Sequence, residues 1–263
     1  MIDILALPAF SDNYIWLIHD GTHAAVVDPG DAEPVRAALA EHGLRLRAVL
    51  VTHHHADHVG GVAELAATAR AAVYGPASER ARLPLLDVAL QDGQSFELAE
   101  PGALHFTTIT VPGHTRGHIA LYERDRGWLF CGDTLFAAGC GRLFEGSPQQ
   151  MYASLSRLAA LPGHCQVFCA HEYTLANLAF AQAVEPDNRA LTTMLAHANA
   201  QRAACRPTLP SRLSDERAVN PFLRCRQPAV IASARAHGAD SDDPAAVFAA
   251  LRRWKDVFRP PAT

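Results

Sequence analysis

The sequence predicts an α/β fold whose last third turns entirely helical, and three observations predict it. Short apolar runs of four to eight residues, rich in β-branched and aromatic side chains and bounded by Gly, Pro, Asp or His, recur up to about residue 170, the pattern of buried strands. Stretches with helical spacing lie between them. Beyond about residue 173 the short runs stop and only helical spacing remains.

In chain order, the apolar residues of "MIDILALPAFSDNYIWLIHD" read as a strand, strongest in "NYIWLI", and "AAVVD" reads as the next. "DAEPVRAALAEHG" is a helix that opens on helix-starting chemistry and closes at a glycine. "AVLVT" is a strand, "DHVGGVAELAATARA" a helix, and "AAVYG", "LHFTTITV" and "GWLFCG" are strands. "SPQQMYASLSRLAALPG" is a helix with Ser147 as its N-cap and Pro148 in its first turn. "QVFCA" closes the strand-bearing part. "LANLAFAQAVEP", "RALTTMLAHANAQRAACRP" and "DPAAVFAALRRWKDVF" are helices of a second, smaller domain running from residue 174 to the end. Strands this close in sequence favour hairpins and a mixed sheet over a purely parallel one.

Bulk properties narrow the function. A length of 263 residues suits one large domain, or a medium one with an appendage. The net charge of −4 gives no whole-chain attraction for nucleic acid or an anionic membrane. No apolar run approaches the roughly 20 residues that span a bilayer. Asp3 stands where an export signal would carry Lys or Arg, so a cytoplasmic, unprocessed protein is expected. Cysteines at 131, 140, 165, 169, 205 and 225 include no CxxC pair, and free thiols are expected rather than disulfides.

The segment "VTHHHADHVGG" crowds four histidines and an aspartate into residues 53–58. A metal site, a pH-sensing cluster and a solvated histidine tract all accommodate it. Strand alternation sends His53 and His55 to one side and His54 to the other. Asp57 and His58 follow at the start of a helix, where protonated imidazole is disfavoured and neutral, metal-bound imidazole is not. Three further apolar runs also deliver such residues at their ends: "TITVPGH" at His114, "WLFCGD" at Asp133 and "QVFCAH" at His171. The carboxyl ends of strands are where α/β sheets assemble sites, and four coincidences favour a metal site over a titrating loop.

"THHHADH", "PGHTRGH", "GDTLF" and "AHEYT", in this order, resemble the metallo-β-lactamase-fold hydrolases. "NYIWLI", "VVDPGD", "GCGRLFEG", "HEYTLANLAFA", "VNPFLR" and "LRRWKDVF" extend the resemblance over essentially the whole chain to the hydroxyacylglutathione hydrolase (glyoxalase II) family. The resemblance implies a four-layer αββα sandwich over residues 1–173 and a helical glutathione-binding domain over 174–263. It implies a first metal held by His53, His55 and His114 and a second held by Asp57, His58 and His171, with Asp133 bridging both. Asp57 and Asp133 would then also be the catalytic carboxylates flanking a metal-bridging hydroxide. Asp28 is expected to orient a ligand histidine through a hydrogen bond, and His54 and His118 are expected to be structural or solvated.

A donor set of nitrogen and oxygen alone suits zinc and tolerates iron or manganese, so two divalent ions per chain, zinc first, are expected. Such a pair stabilises hydroxide near neutral pH and polarises a carbonyl. A thiolate leaves without an added acid because a thiol's pKa is about 8.5, so a thioester suits the site. Glutathione carries carboxylates at both ends. By spacing alone, Arg252 and Lys255 are neighbours beside the apolar stripe 247, 248, 251, 254, 257 and 258 and read as solvated cations. The resemblance instead implies that they hold the glycine carboxylate of glutathione, with Tyr173 near the same end. Arg142 stands where some relatives have lysine, and Phe144 stands where some have a tyrosine whose hydroxyl it cannot replace.

The expected reaction is hydrolysis of S-D-lactoylglutathione, or a close 2-hydroxyacyl analogue, by a monomer, as in methylglyoxal detoxification. The runner-up is a glutathione persulfide dioxygenase with a single iron, disfavoured by the complete second ligand set. A metal-dependent nuclease lacks a basic face, and an inert metal-holding module lacks any substituted ligand position.

Overall fold

The N-terminal stretch that reads as one strand folds as two. In this computed structural model, which describes residues 2–259, β1 (Asp3–Ala9) and β2 (Asn13–His19) form an antiparallel hairpin around Phe10–Asp12. Ser11 and Asp12 are the turn chemistry that splits the run. Inner β2 is buried almost throughout, whereas β1, at the sheet edge, is mostly half-exposed. β3 (His23–Val27) pairs antiparallel with β2, and β4 (Arg45–Leu50), β5 (Ala72–Pro76) and β6 (Val88–Leu90) continue in parallel. The sheet is therefore mixed, as its close-set strands predict.

Parallel neighbours need crossovers. The first is α1 (Ala32–His42), capped by Asp31 at its start and by left-handed Gly43 at its end. The second was expected to be one helix and is two, α2 (Ala56–Val59) and α3 (Val62–Ala69). At the break, Gly60–Gly61, the Gly61 N–H leaves the helical ladder and donates to the Pro29 carbonyl at 2.9 Å. A Cβ on Gly61 would stand 2.6 Å from the Ala32 nitrogen, and one on Gly30 would stand 1.9 Å from the Asp57 carbonyl oxygen. Two backbones touch there, an approach that only glycine allows. Val35, Ala38, Val62 and Leu65 bury their apolar faces with Val26, Val49 and Val73 of the sheet.

A second, antiparallel set follows: β7 (Ser95–Leu98), β8 (Leu104–Thr110), β9 (Ile119–Glu123) and β10 (Trp128–Gly132). Tyr74 of β5 stacks on Phe96 of β7 at 5.3 Å, and Phe96 on Phe106 of β8 at the same distance, so the two sheets meet face to face through aromatic rings. These elements form one compact unit, Met1–Thr110 with Arg116–Gly132; Val111–Thr115 and Asp133–Thr263 form the other.

The second unit begins with a small hairpin, β11 (Leu135–Phe136) and β12 (Gly139–Cys140). α4 (Pro148–Ala159) starts as predicted: Ser147 and Gln150 form a reciprocal capping box ahead of Pro148, worth about 1 kcal/mol. β13 (Gln166–Cys169) pairs with β14 (Ser211–Arg212), a two-residue strand in the region expected to hold none. Such a pairing leaves no periodic trace in sequence. Helices α5 (Thr174–Val184), α6 (Arg189–Ala203) and α9 (Pro244–Val257) match the predicted segments, while α7 (Leu213–Val219) and α8 (Pro228–Ala236) are too short or weakly patterned to announce themselves. Phe180, Phe222, Phe248 and Trp254 interlock around this helical core at centroid distances of 5.0–5.9 Å. Val257, expected on the buried stripe, is exposed. The six cysteines form no disulfide among the described residues, and five are buried. No helix among them is long and apolar enough to cross a membrane.

Candidate active site

The histidine cluster begins where β4 runs out. Val51 and Thr52 extend the strand line, and the chain then loops into α2. Thr52 aligns His53, a role invisible in sequence although it directly precedes that residue. Its backbone N–H and its hydroxyl donate to the Asp28 carboxylate at 2.8 and 2.7 Å, and its oxygen lies 3.1 Å from His53 Nδ1. A hydroxyl that donates to Asp28 accepts from His53, so Nδ1 carries the proton and Nε2 keeps its lone pair. That Nε2 faces His55 Nδ1 at 3.1 Å.

His58 is aligned in the same way. Its Nδ1 lies 3.1 Å from Asp28 Oδ2, and its Nε2 faces the Asp57 carboxylate at 3.6 Å. Asp28 thus orients two histidines, one directly and one through Thr52, as its position after "AAVV" predicts for one. Its backbone sits at φ 51°, in the left-handed region where Asp is tolerated and most residues are not. Asn13, unnoticed in sequence, donates to Asp57 Oδ2 at 3.0 Å.

His54 points elsewhere. Its ring faces Glu79 at 3.0 Å through Nδ1 and the Arg82 guanidinium through Nε2. His118 is fully buried and stacks on His53 at 4.5 Å.

The second unit carries its own set. Gly113 ends the extended run after β8, leaving His114 buried, and the His114 Nδ1 bonds to the Arg142 carbonyl at 2.9 Å. A carbonyl only accepts, so Nδ1 is protonated and the lone pair is on Nε2, 3.3 Å from Asp133 Oδ2. His171, just past β13, places Nε2 3.3 Å from Asp133 Oδ1. One carboxylate therefore lies between two imidazole nitrogens, one on each oxygen. A lone pair aimed at an anionic oxygen across 3.3 Å is repulsive unless a cation or a proton lies between them. Buried carboxylate and imidazole nitrogens in this arrangement suit a divalent ion of borderline hardness.

The same unit holds a cavity of about 470 Å³ whose lining includes His114, Asp133, Phe144, Tyr173, Arg252 and Lys255, a volume suited to a small ligand. Tyr173 stacks on His171 with planes 3° apart and centroids at 4.8 Å. Phe144 meets the His114 ring edge-on at 5.2 Å and is 63% exposed. Arg142 also lines the cavity, largely exposed, with Nε 3.9 Å from Asp256.

Arg252 is not the solvated cation that spacing alone suggests. It is 5% exposed, its Nη1 donates to the Cys140 carbonyl at 2.9 Å and its Nη2 to Asp256 at 3.0 Å. Lys255 donates to the Ala176 carbonyl at 3.0 Å and lies over the Phe180 ring. Burial, and then the neighbouring Arg252 charge, pull its pKa down to about 8. Burial pushes the Cys140 thiol up to about 11, so it is an uncharged part of the wall.

The Metallo-beta-lactamase superfamily profile matches residues 9–171, and the profile of the hydroxyacylglutathione hydrolase C-terminus matches 172–258. A protein of Alkalilimnicola ehrlichii named hydroxyacylglutathione hydrolase is 58% identical over 97% of this chain and 99% of its own length. The chain belongs to the hydroxyacylglutathione hydrolase family. Its α/β fold is that of the metallo-β-lactamases, here with the helical C-terminal region of this family. ETHE1 from Myxococcus xanthus shares the fold at a TM-score of 0.65 and 23% identity, covering 99% of this chain and 93% of its own. TTHA1623, solved in a di-iron-bound form, is similar at a TM-score of 0.52 and 31% identity over 64% of this chain and 91% of its own.

Proposed function

We propose that this chain hydrolyses S-2-hydroxyacylglutathione thioesters, S-D-lactoylglutathione first among them, to glutathione and the free hydroxy acid. The observation that carries the reading is a single cavity lined both by His114 and Asp133 and by Arg252 and Lys255, so that a hydrolytic donor set and a carboxylate grip share one space. Family membership along the whole chain supports it. Arg252 and Lys255 fall in the region 174–263, and the metal ligands in 1–173, the division into two domains that we adopt for this enzyme.

His53, His55 and His114 would hold one divalent ion and Asp57, His58 and His171 the other, with Asp133 serving both. The tautomers fixed by Thr52, Asp28 and the Arg142 carbonyl leave lone pairs on His53, His58 and His114 for this purpose. Zinc suits the donors best, with iron or manganese tolerated. When bound, the ions supply Lewis acidity and lower the pKa of water toward neutrality. Asp57, held by Asn13, and Asp133 are the carboxylates that orient the attacking water. In the reaction a C–O bond forms, the C–S bond breaks, and the glutathione thiolate departs unprotonated. Arg252 and Lys255 bind the carboxylate of the glycine end, Tyr173 and Arg142 contact the peptide, and Phe144 offers it an apolar ring in place of a hydroxyl.

The test is metal content of the purified protein together with thiol release from S-D-lactoylglutathione before and after chelation. Two equivalents of metal and chelator-sensitive thiol release are expected. Oxygen consumption with glutathione persulfide, and no thiol release from the thioester, would install the dioxygenase reading instead.

A further inference from the structure

The structure brings together two of the segments that mark the family, "GCGRLFEG" and "VNPFLR", and the second has no part in the chemistry above. The hairpin β11–β12 spans residues 135–140. It leaves directly from Asp133 and returns at Cys140, whose carbonyl receives Arg252, and at Arg142, whose carbonyl receives His114. Any shift of this hairpin moves a proposed metal ligand and the pocket wall together.

Besides its own backbone pairing, its turn is held by side chains. Asn220, fully buried, donates through Nδ2 to the Gly139 carbonyl at 2.9 Å and the Phe136 carbonyl at 3.2 Å. Glu216, also fully buried, accepts the Ala138 N–H at 2.8 Å and the Asn220 amide at 3.1 Å on the same oxygen, Oε2. Asn177 donates to the Ala137 carbonyl at 3.0 Å. Ala138 sits at φ 54°, a left-handed conformation that costs a non-glycine residue about 1–2 kcal/mol and that the turn alone would not keep. The two glycines of "GCG" fit the same arrangement. A Cβ on Gly139 would lie 2.4 Å from the Asn177 amide, and one on Gly141 would lie 1.9 Å from the Asp133 carbonyl oxygen.

We propose that Glu216 and Asn220 are positioning residues for the thioesterase site: they clamp the 135–140 hairpin so that Asp133 and the Cys140–Arg142 wall keep a fixed register. The inference rests on the function proposed above.

The experiment measures three things on Asn220→Ala and Asn220→Asp: melting temperature, retention of metal against a weak chelator, and affinity for S-methylglutathione, a thioether that cannot be hydrolysed. Well below the melting temperature, both variants should bind the thioether about tenfold or more weakly and lose metal about 10–100-fold more readily. Asp, though near in shape, donates nothing and should not rescue. A folded Asn220→Ala with both properties within twofold of wild type overturns the proposal, as does rescue by Asp. Should Asn220→Ala fail to fold, Glu216→Gln and Glu216→Met decide. Gln keeps the accepting oxygen and should match wild type, Met fills the space without accepting and should not, and equal behaviour of the two overturns the clamp. A wild-type protein that neither binds the thioether nor hydrolyses the thioester refutes the function itself, which is a separate result.

Discussion

The two units hold metal-seeking side chains in opposite ways. In the first, four of them fall within six consecutive residues and are aligned by a neighbour in sequence, Thr52, and by one carboxylate, Asp28. In the second, His114, Asp133 and His171 are separated by 19 and 38 residues, and only the fold places both histidines at the Asp133 carboxylate. A clustered set depends on local geometry and a dispersed set on long-range packing. The first should therefore fail one ligand at a time, the second whenever its supports move.

Removing a ligand from each half gives the largest expected effect and the sharpest comparison. His58→Ala and His171→Ala belong to the same proposed ion, so each should lose one equivalent of metal and at least about 10²–10³-fold in kcat, with the melting temperature little changed. A full metal complement in either variant breaks the pairing of the halves. Next comes Asp28→Ala, which leaves all seven ligands but removes the acceptor behind His58 and Thr52. Metal affinity should fall about 10–100-fold, measured by competition with a chromogenic chelator, and an unchanged affinity would make the carboxylate merely structural.

Arg252→Ala acts on the dispersed half alone. It should raise KM roughly tenfold, the size of one charged hydrogen bond, and leave kcat and metal content near wild type. Loss of turnover at saturating substrate would show that the residue does more than grip. A smaller effect comes from pH. Lys255 has a folded pKa of about 8, below the ordinary lysine value, so it is charged below pH 8 and loses its charge as pH rises through 8. KM should climb a few-fold between pH 7 and 9, while Lys255→Arg, which stays charged, should flatten the rise.

The smallest effect is on stability. Burial raises the Glu216 pKa to about 7 from an ordinary 4.5. The folded state then holds a proton that the unfolded state has released between pH 4.5 and 7. The stability of the protonated form, complete below pH 4.5, is lost as pH rises through 7. Denaturation midpoints should decline across that window, and less so in Glu216→Gln.

Legibility in the sequence followed the distance over which each feature is decided. Strands β2 to β5 of the first sheet, the capped helix after Ser147 and the seven metal-seeking residues are local patterns, fixed by side-chain alternation, capping chemistry and donor type. The split of the second crossover into α2 and α3 was not legible, because it depends on how closely the backbone at Gly30 approaches Asp57. Thr52 and Asn13 were equally silent, since any threonine or asparagine in a turn looks alike until a carboxylate is seen beside it. Arg252 was misread by spacing alone, because burial against the Cys140 carbonyl is set by a hairpin 112 residues away.

The sequence by itself determined which chemistry this protein carries: nitrogen and oxygen donors at strand ends, no thiolate among them, and a helical tail with paired cations. Tertiary structure alone decided which nitrogen of each histidine keeps its lone pair, and which cations leave water to line the pocket. Both outcomes depend on hydrogen-bond partners distant in the chain, and a buried polar group takes its state from whatever packing places beside it.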